Sequence, residues 1–373
     1  MTARTCLTGA QARELRMSSL LLASASGEPT TAAGIVEWFG AMQAQDEGSV
    51  LWSLGLRLPG SSLASLQGQF DEHAVLRTWP MRGTIHLVPA RDAHWMLDLM
   101  AGRVLAGSKT RRLQLELSDE MAERGVQVLA AALSGGGCLT RAQCLATLVE
   151  SGIPVDGQRG YHLLAYASQR GVIAMRPRAE GMQAFVLLDE WVPEPVRLDR
   201  QEALATMARR YFRSHGPASL KDFVGWTGLT TTDARQGIAE AGQALAGVEV
   251  DGQRMWVAAD AWDRARPTAP GDDHVLALPG FDEYLLGFKG RELMIEPGHL
   301  QAIVPGSNGV FRPTFVRGGQ VIGTWTRRLG KAKAVIDARP LLRMGRSDRR
   351  AVEQSLEPFG AFHGLPVEVR WPD

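Results

Sequence analysis

The chain has 373 residues, of which 45% are apolar, three cysteines and a formal net charge of +1. That length fits two to four compact units, and the composition is that of a soluble globular protein. Cys6, Cys138 and Cys144 form no C-x-x-C pair, which argues against structural zinc and a disulfide scaffold and suits a reducing cytoplasm, and the apolar runs near the N-terminus are too short for a signal peptide or a membrane span.

In chain order, the N-terminal part predicts helices over Thr8 to Ala23, Thr31 to Gln45 and Leu63 to Asp71, then strands over Val75 to Trp79 and Thr84 to Val88. In the second helix Ile35, Trp38, Phe39 and Met42 fall at helical spacing, and Asp46-Glu47-Gly48-Ser49 reads as the loop that follows. Gln43 and Gln45 thus fall at the helix end. Successive side chains on a helix turn by about 100°, so the two amides would diverge on a continuous helix and converge only where it stops. There they either point into one cavity or cap and solvate a helix terminus.

A second unit opens at Leu139-Thr140-Arg141-Ala142-Gln143, runs through Tyr161 to Gln169, and closes with strands Val172 to Arg176 and Ala184 to Leu188 around Glu180-Gly181. The clearest copy is the third. Ser219 caps a short helix, Gly228 makes a turn, Thr230 to Ala241 gives a second helix, and Val248 to Val250 pairs with Arg254 to Val257 across Asp251-Gly252. Each copy reads as a winged helix, with breaks at Pro193, Pro195, Pro267 and Pro270. Beyond them, Val275 to Leu278, Ala302 to Val304, Val310 to Phe315, Gln320 to Trp325 and Val367 to Trp371 read as strands. The expected class is α+β, with winged-helix units over 1–115, 116–197 and 198–266 and a β-rich module over 267–373.

Charge is unevenly spread. Between Arg312 and Arg350 there are eleven Arg and Lys against Asp337 and Asp348, a net +9, which leaves the remainder of a +1 chain at −8. A local field of one sign steers a polyanion more than the total charge does, although a solvated basic face would look the same. Arg312, Arg317, Arg327, Arg328, Lys331 and Lys333 are the candidates for DNA contact. Arg82 and His86 lie in one strand segment, where period two lets both face the site for phosphate or sugar contact; the alternative is a solvated wing arginine and a core histidine. Asp282 and Glu283 are adjacent and read as structural, with Tyr284 and Arg291 as partners. Gly102 to Thr110 misses the P-loop pattern because Ser108 precedes Lys109, and there is no G-x-S-x-G elbow or H-E-x-x-H.

Several segments together resemble the AlkZ and YcaQ family of winged-helix DNA glycosylases over nearly the whole chain. Gln43-Ala44-Gln45 looks like its Q-x-Q element, and Arg82 to Val88, Leu278 to Gly287 and Gly323-Thr324-Trp325 are similar to its other recurring segments. The resemblance implies three tandem winged helices in a C-shaped body, with Gln43 and Gln45 as catalytic residues. It implies hydrolysis of the N-glycosidic bond of alkylated purines in double-stranded DNA, with no metal or organic cofactor. A hairpin at Gly318-Gly319 is expected to enter the minor groove. Q-x-Q resembles the branch that protects antibiotic producers from their own alkylating products, while the other branch tends to carry Q-x-D; a shift to Gln45-Asp46 stays open. No lysine among Lys109, Lys221, Lys289, Lys331 and Lys333 has a motif marking it as a lyase nucleophile, so monofunctional hydrolysis by a monomer is expected. Such an enzyme would be cytoplasmic and associated with a bacterial nucleoid. The rival reading is a non-catalytic winged-helix transcriptional regulator.

Overall fold

Three β-sheets organise the described residues, 5–23, 29–70, 73–176, 184–264, 274–307 and 309–372, of the computed structural model. The predicted loop at Glu180-Gly181 and the breaks at Pro267 and Pro270 lie outside those residues. The largest sheet has six strands in the order Met42–Gln43, Thr84–Pro89, Val75–Met81, Ile173–Arg176, Ala184–Leu187 and Leu139–Thr140. The hairpins expected of the first two units therefore share one sheet, joined where Arg77 faces Met175. Val75–Met81 lies mid-sheet and is buried at every position, as a strand covered on both faces must be.

The second sheet places Thr5–Leu7 parallel to Leu245–Val250, which pairs in turn with Gln253–Ala258. The predicted turn at Asp251-Gly252 links those two strands. In the third sheet Val275–Leu278, Thr314–Arg317, Gln320–Leu329, Ala334–Pro340 and Val367–Arg370 are adjacent in that order.

Several helices begin where the sequence supplies a side-chain acceptor. Thr140 and Ser219 form reciprocal capping boxes with Gln143 and Asp222 at the heads of Arg141–Glu150 and Leu220–Thr227, each cap contributing about 1 kcal/mol. Gly228 takes a left-handed conformation and Thr231–Ala241 follows, so the helix, turn, helix, hairpin order of the third copy is present. Arg159–Gln169 is the second helix of the middle copy, and Gly102 to Thr110 lies inside the helix Ala93–Gln114.

Two expectations require correction. The helix carrying Ile35 spans only Ala32–Phe39 and closes at Gly40, whose φ of 80° is open to glycine. Met42–Gln43 is a strand, and Asp46 is no loop residue: its side chain accepts the Ser49 N–H (2.7 Å) and caps a further helix, Glu47–Arg57. In the C-terminal part, Ala302 and Ile303 belong to a one-turn helix, Leu300–Ile303, and the strand expected over Val310 to Phe315 instead spans Thr314–Arg317. Ala334–Pro340 and the helices Arg346–Ser355 and Glu357–His363 were not among the predicted elements, although Ala334, Ile336 and Ala338 alternate as buried positions of a strand.

One apolar core extends from Leu20 to Phe362, and a smaller one lies under the Thr5–Leu7 sheet. Trp52 ties the helix after Gln45 to the C-terminal part. Its Nε1–H donates to Ala277 O (2.8 Å), and its ring meets those of Phe359 and Phe362 at 5.2 and 5.3 Å. Among the described residues no helix is long and apolar enough to cross a membrane.

Candidate active site

Gln43 sits on a two-residue strand between two helices. Met42 faces Leu87 and Gln43 faces His86, and the Ala44 N–H donates to Ile85 O (2.9 Å). Gln43 is thus on a strand and Gln45 in the bend after it, the preceding helix having closed at Gly40. Because the strand ends at Gln43 and Gln45 lies in a bend, the period-two rule for strands does not bring the two amides to one side. Ala44 between them is fully buried.

The two amides meet different surroundings. Gln43 lines a cleft of about 340 Å³ with Arg82, Thr84, Lys289 and Arg291 on its polar side and Leu286, Leu300, Val304 and Phe311 on its apolar side. Its Oε1 is buried and meets no hydrogen-bond donor among the described residues. A buried acceptor left this way costs about 1–3 kcal/mol, so it is a position poised for an external O–H or N–H. Gln45 is exposed, is not part of that lining, and accepts the Ile85 N–H at its Oε1 (3.2 Å), leaving its NH₂ for another partner.

Behind Gln43 lies a buried carboxylate. Glu283, in the one-turn helix Glu283–Leu286, accepts the Gln43 N–H at Oε1 (3.2 Å). Its Oε2 accepts from Trp226 Nε1–H (2.9 Å) and His215 Nε2–H (3.2 Å). Burial opposes ionisation of Glu283, but His215, the charge of Arg82 and the Trp226 N–H together hold its carboxyl below the usual carboxylate range. The neighbouring Asp282 does a different job. It forms a buried two-oxygen ion pair with Arg57 (2.9 and 3.1 Å), accepts from Ser53 Oγ–H (2.7 Å), and caps Glu283–Leu286 through the Tyr284 N–H. Reading Asp282 as structural matches these contacts, with Arg57 as the partner the sequence did not suggest. Glu283 is a support that reaches the site itself.

Arg82 and His86 do not share one strand. Arg82-Gly83 is the two-residue turn between Val75–Met81 and Thr84–Pro89, with φ of 57° and 70°, the left-handed pair that tight hairpins require. The arginine folds back along the hairpin, and its Nη2–H donates to His86 Nε2 (3.0 Å). Since arginine can only donate and the Thr84 carbonyl can only accept, His86 carries its proton on Nδ1, which donates to Thr84 O (2.9 Å). Burial, then the Arg82 charge, holds the His86 pKa down to about 3. His86 is fully buried and supports Arg82 from behind, the core-histidine alternative of the two readings.

The basic residues of the C-terminal part are dispersed. Arg312 Nη1–H donates to Ala302 O (3.3 Å), Arg317 pairs with Asp348 (2.7 Å), Arg328 with Asp337 (2.8 Å) and Lys333 with Glu368, while Lys331 is exposed at the turn after Leu329. Exposed pairs of this kind are worth about 0–1 kcal/mol and exchange readily for a phosphate. Arg327 alone reaches the glutamine link, with Nη2 3.4 Å from Asp46 Oδ1. The Gly318-Gly319 turn differs from expectation: Gly319 is buried against the Arg13 side chain and its carbonyl accepts from the Tyr284 hydroxyl, so that turn is docked on the protein. The exposed basic hairpin is the next one, between Gln320–Leu329 and Ala334–Pro340.

Glu283, His215, Trp226, Thr84, Lys289 and Arg291 went unmarked as site residues. Glu283 and Thr84 had a local signal, lying in the Leu278 to Gly287 and Arg82 to Val88 segments.

The chain is similar to known proteins over most of its length. A sequence profile of the family described as DNA glycosylase AlkZ-like matches residues 36–362. The interstrand DNA cross-link repair glycosylase of Streptomyces sahachiroi is 28% identical over 321 residues, covering 80% of this chain and 83% of that protein. The solved structure of the Streptomyces sahachiroi DNA glycosylase AlkZ superposes with a TM-score of 0.80 at 23% identity, covering 98% of this chain and 100% of that one, which shows a common fold. The profile match decides for an enzyme over a regulator, and the chain belongs to the AlkZ-like DNA glycosylases.

Proposed function

We propose that this glycosylase releases N7-alkylated, positively charged purines from double-stranded DNA by direct hydrolysis, with Gln43 and Gln45 holding the water and with no metal or organic cofactor. The observation that carries the reading is the unserved Gln43 Oε1 in a cleft whose described lining contains no carboxylate. A carboxamide cannot act as a general base, but its oxygen accepts a hydrogen bond from water and so fixes where the water stands. Lack of a general base typically forgoes about 10²- to 10⁴-fold in rate. An N7-alkylpurine is already cationic and leaves without protonation, so that loss is tolerable for charged lesions and prohibitive for uncharged ones.

On this reading the recurring helix, turn, helix, hairpin segments over 1–115, 116–197 and 198–266 are tandem winged helices in a C-shaped body, with the 267–373 module beside them. DNA would run past Arg82 and past the exposed hairpin bearing Arg328, Lys331 and Lys333, with Arg312, Arg317 and Arg327 adding to the field. The relative's description as a cross-link repair glycosylase supports bulky or crosslinking adducts as substrates. Q-x-Q supports a self-resistance role, and a monomer suffices for the chemistry. A duplex bearing one N7-alkylguanine tests the proposal: incubation should yield the free base and an abasic site. Intact adduct in DNA that the protein demonstrably binds would refute it.

A further inference from the structure

The cationic side of the Gln43 cleft is built with more constraint than a solvated surface needs. The Lys289 and Gly290 N–H groups both donate to Asp222 Oδ1 (2.7 and 2.8 Å), and Asp222 Oδ2 accepts from the Ser219 hydroxyl (2.7 Å) at the head of Leu220–Thr227. On that helix Gly225 lies against the Lys289 side chain: a Cβ there would stand 2.4 Å from both Cγ and Cε of the lysine. The stem of Lys289 therefore occupies a notch that a glycine leaves open, while the residue as a whole stays exposed. Arg291 is fixed as well. Its Nε–H donates to Leu285 O (2.8 Å) and its guanidinium lies 4.8 Å from the centre of the Phe311 ring.

The electrostatics are one-sided. Burial, then the charges of Arg291, Arg82 and Lys221, hold the Lys289 ammonium below the usual lysine range, and all those charges are positive. Of the neighbouring carboxylates, Asp222 is occupied by backbone N–H groups and Ser219, Asp222 and Glu292 both act on Arg291, and the buried Glu283 acts on Arg82 from behind. Arg82, Lys289 and Arg291 are the charged members of the described lining. The described lining itself holds no carboxylate, so two guanidinium groups and a point-charge ammonium face the cleft and form the donor set for a phosphate.

We infer that Lys289, seated in the Gly225 notch and grouped with Arg82 and Arg291, binds the phosphodiester beside the excised nucleotide. The inference rests on the proposed glycosylase reading and adds to it the residues that hold the backbone at the cleft.

The test uses the intact protein and a duplex with one tetrahydrofuran abasic-site analogue, flanked by ordinary phosphates or by an uncharged methylphosphonate on one side or the other. One of the two neutralised positions should weaken binding by the natural protein about tenfold and by Lys289→Ala less than about twofold, since a charge-assisted hydrogen bond is lost only where it existed. Lys289→Ala should also lower the slope of log affinity against log salt by about 1. Gly225→Ala keeps the charge and displaces a flexible side chain, and should reproduce part of the loss. Equal methylphosphonate effects in the natural protein and Lys289→Ala would overturn the inference. So would a borohydride-trapped covalent complex through Lys289 on a natural abasic site, which would make the amine a nucleophile. The probe has no base to excise, so these results are independent of N7-alkylguanine release, whose failure would count against the glycosylase substrate alone.

Discussion

Replacing Glu283 by glutamine keeps the shape of the side chain and removes its charge, and the contacts allow the consequence to be worked out. The carboxylate accepts from three donors: Gln43 N–H, Trp226 Nε1–H and His215 Nε2–H. A carboxamide offers one oxygen. If that oxygen keeps Trp226 and His215, the new NH₂ faces the Gln43 N–H; if it turns to Gln43, two buried donors are orphaned instead. The first arrangement costs less and places the damage on the Gln43 backbone, at about 1–3 kcal/mol for one orphaned donor. With about 1.4 kcal/mol per factor of ten, misplacement of Gln43 by that energy predicts roughly a ten- to hundredfold slower release of N7-methylguanine. Single-turnover excision at saturating enzyme reads the chemical step, and a melting curve on the same sample reads stability, which should also fall. Natural excision rates together with an unchanged melting temperature would refute the claim that Glu283 anchors the strand carrying Gln43.

Acidification should destabilise the protein through several groups of the same sign. The folded His86 pKa near 3 lies below the unfolded value, so between about pH 6.5 and 3 the unfolded chain binds the extra proton, and this residue removes up to about 1.4 kcal/mol of stability per pH unit as pH falls. Asp282 and Glu283, both held below the carboxylate range, contribute stability that is present above about pH 4 and lost as pH falls through their folded values. Melting temperatures from pH 8 to 4 in natural protein and His86→Gln should show a shallower decline in the variant; parallel curves would contradict the assignment. Arg57→Ala leaves the Asp282 carboxylate buried with Ser53 and the Tyr284 N–H but without its counter-charge, and should cost about 3–5 kcal/mol in denaturant unfolding. A loss under about 1 kcal/mol would show that the pair is replaceable.

Much of the fold was legible because its signals are local. The Ser219 box, Gly228 and the Asp251-Gly252 turn each determine a few bonds, and the two helices and the hairpin between 219 and 258 follow from them. Glu47–Arg57 was missed because Asp46-Glu47-Gly48-Ser49 has the composition of a loop, although an aspartate followed by a glutamate is equally the opening of a helix. The merging of two hairpins at Arg77 and Met175 has no sequence signal, since it depends on which sheet edges tertiary packing brings together. The candidate site divides in the same way. Gln43 and Gln45 were singled out as a pair, yet Gln43 is on a short strand and Gln45 in the bend after it rather than at a helix end. His215 and Trp226 meet Glu283 across 68 and 57 residues, and the notch that Gly225 offers Lys289 exists only once the chain is folded.

Release of N7-methylguanine by the Gln43→Ala, Gln45→Ala double variant, measured beside its affinity for a duplex containing an abasic analogue, tests the proposed mechanism most directly. The two carboxamides are proposed to position the water, so release should fall to the uncatalysed rate while affinity stays within about twofold, as expected where the Arg and Lys contacts that dominate binding are untouched. Release at the natural rate from a folded double variant would contradict it.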